Sequence, residues 1–229
     1  MNLDVTGKSL AGRFHLFFDL DGTLVDSRAA IVNAYHHVFA SVLRVPFALT
    51  SHADLQKLLA MRPIEVFSQA TEKSVDDCLA AYSEFYVANG ARDVQSYEGA
   101  KAMLTQLRAL GRSIGIVTNK GHQRAALDLS NTRLIDISDL TVLIGAEHTI
   151  ERKPHPAPLI AALELSGATA SQSIYVGDGP HDMEAAVQAG MACVGASYGY
   201  YPAHTLSAAG ADALIACPLD LLTLIKEAD

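Results

Sequence analysis

The chain has 229 residues, of which 50% are hydrophobic and 18% are charged, a composition typical of folded globular proteins and not of disordered ones. Its formal net charge of -8 disfavours nonspecific binding to nucleic acid or anionic membranes, since both depend on clustered Lys and Arg. The three cysteines lie far apart without metal-binding spacing, and no apolar run reaches about 18 residues, so we expect a cytoplasmic protein with free thiols and no membrane association.

The first predicted strand leads directly into the most informative motif of the chain. Residues 14–18 are apolar apart from His15 and predict a buried parallel strand, and Asp19 and Asp21 follow it just before Gly22. Because side chains alternate along a strand, both carboxylates should project at its carboxyl end, where open α/β sheets carry their chemistry. Two such close carboxylates require a cation or a shared proton, so one can act as a nucleophile and the other can transfer a proton. An Asp-Gly turn is also ordinary loop chemistry, so this interpretation depends on the other motifs.

Residues 27–96 predict an inserted helical bundle, because the interval before the next core strand holds helical patterns and no convincing strand. Spacings of three and four residues form one apolar helix face from Val32, Tyr35, Phe39 and Val42. Shorter helical patterns follow at 53–60 and 63–70, and Ser74 with Asp77 has the spacing of a capping box before a further helix.

Residues 1–26 and 97–229 predict an α/β core domain with a doubly wound, mostly parallel sheet. Its later candidate strands are 113–117, 141–144, 173–176, 192–194 and a weaker one at 213–216. Helical patterns at 156–165 and 181–189 supply the crossovers that parallel strands require. Because the 27–96 insert begins beside the first motif, we expect it to be a cap that covers the site, with a merely decorative insert as the alternative.

Two further segments carry groups suited to binding phosphate. Thr118 and Asn119 follow the strand at 113–117 and offer a hydroxyl, an amide and backbone N–H groups, although they would also serve as an ordinary helix cap. Lys153 precedes Pro154 and Pro156, which restrict the backbone and would aim the ammonium group at the carboxylates. A solitary lysine is otherwise an ordinary surface residue.

The loop after the strand at 173–176 adds two more carboxylates, Asp178 and Asp182. Together with Asp19 and Asp21 they form an oxygen-rich set that suits a hard cation, of which Mg²⁺ fits best. Asp182 alone would also fit a helix cap. The two histidines that flank these clusters have no Cys or Ser partner, and we interpret them as bystanders: His155 and His181.

In their order along the chain, these motifs resemble those of the haloacid dehalogenase (HAD) superfamily, specifically its phosphoglycolate-phosphatase-like branch with a small helical cap. The matching segments are 19–27, 117–120, 153–156 and 176–182. The resemblance covers nearly the whole chain from Phe14 onward and departs from the usual pattern at 127–150. It implies a HAD-like Rossmannoid core with an inserted cap.

The resemblance implies that Asp19 attacks phosphorus to form an aspartyl-phosphate, and that Asp21 protonates the leaving oxygen and later deprotonates the hydrolytic water. It implies that Mg²⁺ is held by the Asp19 carboxylate, the Asp21 backbone carbonyl and Asp178, with Asp182 in a supporting role. The residues implied to hold the transferring phosphoryl group are Thr118, Asn119 and Lys153. Asp21 argues against a dehalogenase, because members that break carbon–halogen bonds do not resemble Asp-x-Asp here.

We therefore expect a Mg²⁺-dependent phosphatase that acts on a small phosphorylated metabolite, as a monomer or homodimer. Arg62 resembles part of the cap loop that reaches such sites and could bind a second anionic group of the substrate, or be simply solvated. The alternatives are a β-phosphoglucomutase-like mutase, a pyrophosphatase or nucleotidase, and a non-catalytic regulator. The regulator is disfavoured by the intact set of Asp19, Asp21, Lys153 and Asp178.

Overall fold

The computed structural model describes residues 10, 12–71 and 75–228. The chain divides into two compact units: one contains the described residues up to Asp26 and from Gln95 onward, and the other is Ser27–Val94. That the second unit is a cap domain spanning 27–96 stays a prediction. Among the described residues, no helix has the length and apolar character needed to cross a membrane.

The larger unit is built on a six-stranded parallel sheet, with a separate pair of short strands. In chain order the strands are β1 (His15–Phe18), β2 (Val25–Asp26), β3 (Gln95–Ser96), β4 (Ser113–Val117), β5 (Val142–Ile144), β6 (Ser173–Gly177), β7 (Ala192–Ala196) and β8 (Ala213–Ile215). The sheet order is β5-β4-β1-β6-β7-β8, so β1 lies inside the sheet between β4 and β6. The six predicted core strands are confirmed, with ends that shift by at most two residues.

The described residues form ten α-helices, of which the last six belong to the unit that contains the sheet. In chain order they are α1 (Arg28–Val38), α2 (His52–Ala60), α3 (Pro63–Ala70), α4 (Val75–Ala88), α5 (Ala100–Ala109), α6 (His122–Thr132), α7 (Ala157–Ser166), α8 (Pro180–Gln188), α9 (Ala203–Ala208) and α10 (Asp220–Ala228). In the larger unit, α8 packs between α7 and α9 and contacts β6 and β7, while α5 contacts β4 and α10. The α/β fold class is therefore confirmed.

The middle of the sheet depends on a close fit between neighbouring strands. Phe17 of β1 lies opposite Gly115 of β4 and Tyr175 of β6. A Cβ atom at Gly115 would lie 2.6 Å from the Phe17 ring, so this glycine leaves the space that the ring fills. Because β1 is buried by sheet neighbours on both sides, the residues that follow it are delivered to a fixed place at the sheet edge.

The expectation of no strand between β1 and β4 is wrong. β2 and β3 form an antiparallel pair in which Val25 lies opposite Ser96 and Asp26 opposite Gln95. Strands of two residues are too short to produce the alternating pattern by which a strand is identified in sequence. The pair joins the two chain segments that border residues 27–94.

The smaller unit is helical, as predicted. Its centre is aromatic: the Tyr35 ring of α1 lies 5.0 Å from that of Tyr82 in α4 and 5.5 Å from that of Phe67 in α3. Offset and tilted rings at such distances stabilise packing beyond the area that they bury. α1 ends at Val38 and continues as one turn of π-helix. The predicted cap residue Ser74 lies outside the described residues, and the description of α4 begins at Val75.

Candidate active site

Four segments of the larger unit place polar side chains near the carboxyl ends of β1, β4 and β6. Asp19 follows β1, Thr118 follows β4, and Asp178 follows β6. These strands are hydrogen-bonded neighbours and run parallel, so their carboxyl ends meet at one edge of the sheet. Lys153 reaches the same place from the segment before α7, and its Nζ lies 2.8 Å from Asp19 Oδ1. The predicted convergence of these residues is present in the fold.

Lys153 forms the centre of this cluster. Besides Asp19, its ammonium group contacts Asp182 Oδ1 at 2.7 Å and donates to the Tyr175 hydroxyl at 2.6 Å. The side chains of Lys153 and Asp182 are completely buried. Asp182 also accepts the backbone N–H of Gly179 at 3.0 Å, so it caps α8 as well as binding the lysine. A buried ammonium with these partners is fixed in place and not a solvated surface group.

Asn119 holds the backbone of Lys153. Its Nδ2 donates to the Lys153 carbonyl at 2.9 Å, and its Oδ1 accepts the Lys153 N–H at 3.1 Å. The neighbouring Thr118 is buried, and its hydroxyl accepts the backbone N–H of Lys120 at 3.2 Å. The Asn119 side chain therefore positions Lys153. Asn119 would then contact a phosphoryl group through its backbone and not through its side chain.

Asp178 packs against two glycines, Gly22 and Gly199, at positions where any side chain would collide with it. Its Oδ2 accepts the N–H of Tyr200 at 2.7 Å, and its Oδ1 accepts the Thr23 hydroxyl at 3.4 Å. A Cβ at Gly22 would lie 2.1 Å from Asp178 Oδ2, and one at Gly199 would lie 2.6 Å from it. Gly22 also has a φ of +81°, a conformation that other residues rarely adopt.

Two ion pairs of Lys120 were not predicted. Lys120 Nζ lies 2.6 Å from Asp21 Oδ1 and also contacts Asp128 Oδ2. No role was predicted for the Lys120 side chain, and Asp128 fell in the segment that departs from the family pattern. Asp128 lies on the buried face of α6, three residues after Ala125 and one before Leu129. A charged residue among apolar ones on one helix face was therefore the sequence signal that could have indicated a buried partner for Asp128.

Tyr175 was also missed. Its hydroxyl accepts from Lys153 and donates to the Val117 carbonyl at 2.7 Å, although its position inside an apolar strand predicts only packing. Burial raises the pKa of Tyr175 well above its usual value, helped by the negative charges of Asp182 and Asp19. The phenol therefore stays neutral and keeps the proton that it donates to Val117, with Asp182 Oδ1 as a second, more distant acceptor at 3.3 Å.

Burial governs the protonation of the acidic cluster. Burial raises the pKa of Asp19, against the opposing pull of Lys153, and raises the pKa of Asp178 well above its usual range with help from Asp182 and Asp19. Asp182 shows the reverse balance: burial opposes ionisation, but His181 and Lys153 outweigh it and lower the pKa of Asp182. The pKa of Lys153 is raised because Asp182 and Asp19 outweigh its desolvation.

The donor set fits Mg²⁺. Asp19, Asp178 and Asp182 are buried carboxylates, and Lys153 is the one cation that directly contacts two of them among the described residues. Excess buried negative charge of this kind favours a hard cation with oxygen ligands. Asp19, Asp182 and His181 each place one ligand atom within 4.8 Å of the others. His181, interpreted from sequence as a bystander, thus lies beside the cluster, with its Nε2 3.6 Å from Asp182 Oδ1.

Arg62 lies in the smaller unit, at the N-terminus of α3. Its Nε donates to Glu65 Oε1 at 2.6 Å, and its backbone N–H donates to Glu65 Oε2 at 2.9 Å. Both side chains are exposed, so the pair contributes little to stability. A role for Arg62 in binding substrate stays a prediction.

Comparison with known proteins gives concordant matches. Residues 16–196 match the family model described as haloacid dehalogenase-like hydrolase. Over 213 residues the chain is 32% identical to a phosphoglycolate phosphatase from Yersinia pseudotuberculosis, covering 91% of each protein. It is 28% identical to the pyrophosphatase PpaX from Bacillus cereus, covering 93% of this chain and 96% of the relative. A haloacid dehalogenase-like family hydrolase from Streptococcus pneumoniae has the same fold, with a TM-score of 0.80, 24% identity and coverage of 93% and 98%.

Proposed function

The chain belongs to the haloacid dehalogenase-like hydrolases, and we propose that it is a Mg²⁺-dependent phosphatase that hydrolyses a small phosphorylated metabolite through an aspartyl-phosphate on Asp19. The observation that carries this proposal is the buried ammonium of Lys153, which binds Asp19 and Asp182 together at the edge of the sheet. Phosphoryl transfer depends on positioning and charge neutralisation more than on elaborate covalent chemistry, and this cluster supplies both.

In the first step, an oxygen of Asp19 attacks phosphorus. Lys153 contacts Asp19 Oδ1 at 2.8 Å, so it would orient the carboxylate and leave the other oxygen to attack. The new bond joins that oxygen to phosphorus while the bond from phosphorus to the leaving oxygen breaks. Backbone N–H groups after β4, the Thr118 hydroxyl and the Lys153 ammonium would stabilise the charge on the transferring group.

Asp21 would move the proton in both steps. Its carboxyl group gives a proton to the leaving oxygen, so that the product departs as a neutral alcohol. The resulting carboxylate then takes a proton from the water that attacks the aspartyl-phosphate. Inorganic phosphate leaves, and Asp19 and Asp21 return to their initial states.

In this proposal Mg²⁺ would be held by the Asp19 carboxylate, the Asp21 backbone carbonyl and Asp178, with Asp182 supporting through Lys153. When bound, the ion would neutralise the charge of the carboxylates and of the phosphoryl oxygens. The raised pKa values of Asp19 and Asp178 support this assignment: burial, and to a lesser degree the neighbouring carboxylates, disfavours the ionised form of both groups, and a bound cation would offset that cost.

The similarity to phosphoglycolate phosphatase favours a small phosphate monoester as the substrate. The match to pyrophosphatase PpaX over 96% of its length makes pyrophosphate the second candidate. Arg62 would bind a second anionic group of the substrate, such as a carboxylate or a second phosphate, after releasing Glu65.

A phosphate-release screen tests the proposal. The substrates are phosphoglycolate, sugar phosphates, nucleotides and pyrophosphate, each with and without Mg²⁺, for the wild type and Asp19→Asn. We expect Mg²⁺-dependent release that falls by about a thousandfold or more in the variant, since the nucleophile is lost. Release that survives Asp19→Asn would contradict the assigned nucleophile. Absence of turnover across the panel would favour a regulator, and isomerisation of a hexose 1-phosphate would indicate a mutase.

A further inference from the structure

Lys120 is a buried cation shared by two carboxylates from different parts of the fold. Its side chain is 5% exposed, that of Asp128 is completely buried, and that of Asp21 is 19% exposed. Asp21 belongs to the loop after β1, whereas Asp128 lies inside α6. The ammonium group therefore connects the site to a helix that supplies none of the residues assigned above to phosphoryl transfer.

The backbone of Lys120 is fixed on both sides. Its N–H donates to the Thr118 hydroxyl at 3.2 Å, and its carbonyl accepts the N–H of Ala146 at 2.9 Å. With the Cα held in this way, the two carboxylates that the ammonium group contacts help to set its position. Asp128 is buried on a helix, so it is the more rigid of these two anchors.

The charge balance explains why the two partners occur together. An isolated buried carboxylate at Asp128 would be strongly destabilising, and Lys120 offsets its charge. Asp128 in turn holds the ammonium group where it binds Asp21 Oδ1. Asp128 thus acts on Asp21 through Lys120.

We propose that Lys120 and Asp128 are positioning residues that orient the Asp21 carboxyl group for proton transfer to the leaving oxygen. This inference rests on the proposed function, in which Asp21 is the acid and base. With Oδ1 bound to Lys120, the rotation of the carboxyl group is fixed and Oδ2 is the oxygen that exchanges the proton. A proton donor must lie within hydrogen-bond reach of the reacting atom, so a loss of orientation lowers the rate of this transfer.

The role has a consequence that a merely structural ion pair would not share. An alkyl phosphate has a strongly basic leaving oxygen that needs a proton as it departs. The leaving group of p-nitrophenyl phosphate is a stable anion that departs with little need of one. Loss of positioning at Asp21 should therefore lower kcat/KM for the alkyl ester far more than for the aryl ester.

The test compares the two esters in Asp128→Asn, Lys120→Met, the double variant and a control. The alkyl probe is phosphoglycolate, or whichever alkyl monoester of the screen the wild type hydrolyses fastest. The control is Asp212→Asn. Asp212 is a buried carboxylate that accepts the N–H of Cys193 at 2.9 Å, and it directly precedes β8, the outer strand on the side of the sheet away from β4. Each protein gives a ratio of kcat/KM for the alkyl ester to kcat/KM for p-nitrophenyl phosphate, and this ratio is independent of the fraction that is correctly folded.

We expect the ratio to fall about tenfold or more in Lys120→Met and severalfold in Asp128→Asn, which is part of the 10²–10⁴-fold that a general acid contributes. Asp212→Asn should keep the wild-type ratio. Because Asp128 acts through Lys120, the double variant should have the ratio of Lys120→Met alone.

Ratios that stay at the wild-type value in both single variants would overturn the inference and leave the proposed function intact. Additive losses in the double variant would overturn the step from Asp128 through Lys120. If the wild type releases phosphate from neither ester nor from any monoester of the screen, the proposed function fails, and this inference fails with it.

Discussion

Tyr175 connects the lysine at the centre of the site with the end of a neighbouring strand. Its hydroxyl accepts from Lys153 Nζ at 2.6 Å and donates to the Val117 carbonyl at 2.7 Å, so one neutral group satisfies two buried polar partners. Val117 directly precedes Thr118. The Tyr175 hydroxyl therefore contacts both Lys153 and the strand end that carries Thr118, the two sides of the proposed phosphoryl-binding cluster.

Replacing Tyr175 with Phe removes this link while retaining the aromatic ring. We expect kcat/KM to fall about tenfold to a hundredfold, the range for loss of a buried hydrogen bond to a charged group, because Lys153 loses a partner that fixes it. Steady-state kinetics and urea denaturation measure the effects on catalysis and stability. Tyr86→Phe, at a buried tyrosine of the smaller unit, is the control and should keep kcat/KM near the wild-type value. Unchanged kinetics in Tyr175→Phe would contradict the positioning role.

Gly22→Ala should separate backbone strain from damage to the site. Its positive φ costs about 1–2 kcal/mol for a residue with a Cβ, and the new methyl group would collide with Asp178. Gly167→Ala is a matched control, since Gly167 has a φ of +68° but no atom within 4 Å of the place that its new methyl group would occupy. We expect both variants to lose similar backbone stability in urea denaturation, with Gly22→Ala losing more in total, and only Gly22→Ala to lose phosphate release. Equal activity in the two variants would contradict the requirement for glycine beside Asp178.

At the scale of single elements, the start of α2 is stabilised by reciprocal capping. The Ser51 hydroxyl accepts the N–H of Asp54 at 3.1 Å, and Asp54 Oδ2 accepts the Thr50 N–H at 3.0 Å and the Thr50 hydroxyl at 2.7 Å. Ser51→Ala should lower the free energy of unfolding by about 1 kcal/mol, measured by urea denaturation. Ser68→Ala, an exposed site inside α3, is the control and should be neutral or slightly stabilising because alanine favours helices.

The same cap predicts a pH dependence. Hydrogen bonds from Thr50 and then Ser51 lower the pKa of Asp54 below its usual value of 3.8. A carboxyl group whose pKa is depressed by folding stabilises the folded state above its unfolded pKa, and this stabilisation is lost as pH falls through the folded pKa. We expect amides at the start of α2 to lose hydrogen-exchange protection below pH 3.8 in the wild type. Asp54→Asn should remove this acid-dependent part, and an identical pH profile in that variant would contradict the assignment.

The helices and strands were predictable to different degrees, for reasons of length and contact. The core strands of three residues or more were identified, as were several helices, including α3 at its observed ends, but α9 and α10 were not predicted. The two-residue strands β2 and β3 were missed because their pairing is a contact between distant segments and not a local pattern. The π-helical turn after α1 also interrupts the regular spacing that the sequence suggested for Phe39 and Val42.

For the molecule as a whole, the excess of buried carboxylates in the site leads to a prediction about metal binding. A ligand that binds only the folded state stabilises it, by about 2.7 kcal/mol at a hundred times its Kd. We therefore expect Mg²⁺ to raise the Tm of the wild type, measured against NaCl of equal ionic strength. Asp178→Asn should reduce this rise, since it removes a proposed ligand, whereas Asp212→Asn should retain it. An equal rise in Asp178→Asn would contradict the role of Asp178.

The convergence of the site was predictable because parallel topology brings strand ends together, so Asp19, Thr118 and Asp178 could be grouped from sequence. Their supporting contacts could not. Asp128 and Tyr175 occupy positions that predict a helix interior and a strand interior, and only the path of the chain brings their polar atoms to Lys120 and Lys153. The Asn119 side chain likewise has an observed partner that no spacing rule indicates.

The place of β1 inside the sheet also bears on how the protein is made. Both of its hydrogen-bonding neighbours, β4 and β6, come much later in the chain. At ~5–20 residues per second, a ribosome completes residue 117 roughly 5–20 s after residue 18. In that interval it produces the entire smaller unit, Ser27–Val94. The nascent chain therefore carries an apolar strand with two unsatisfied edges throughout this delay. Slower elongation lengthens the exposure, and a chaperone that covers His15–Phe18 would shorten it.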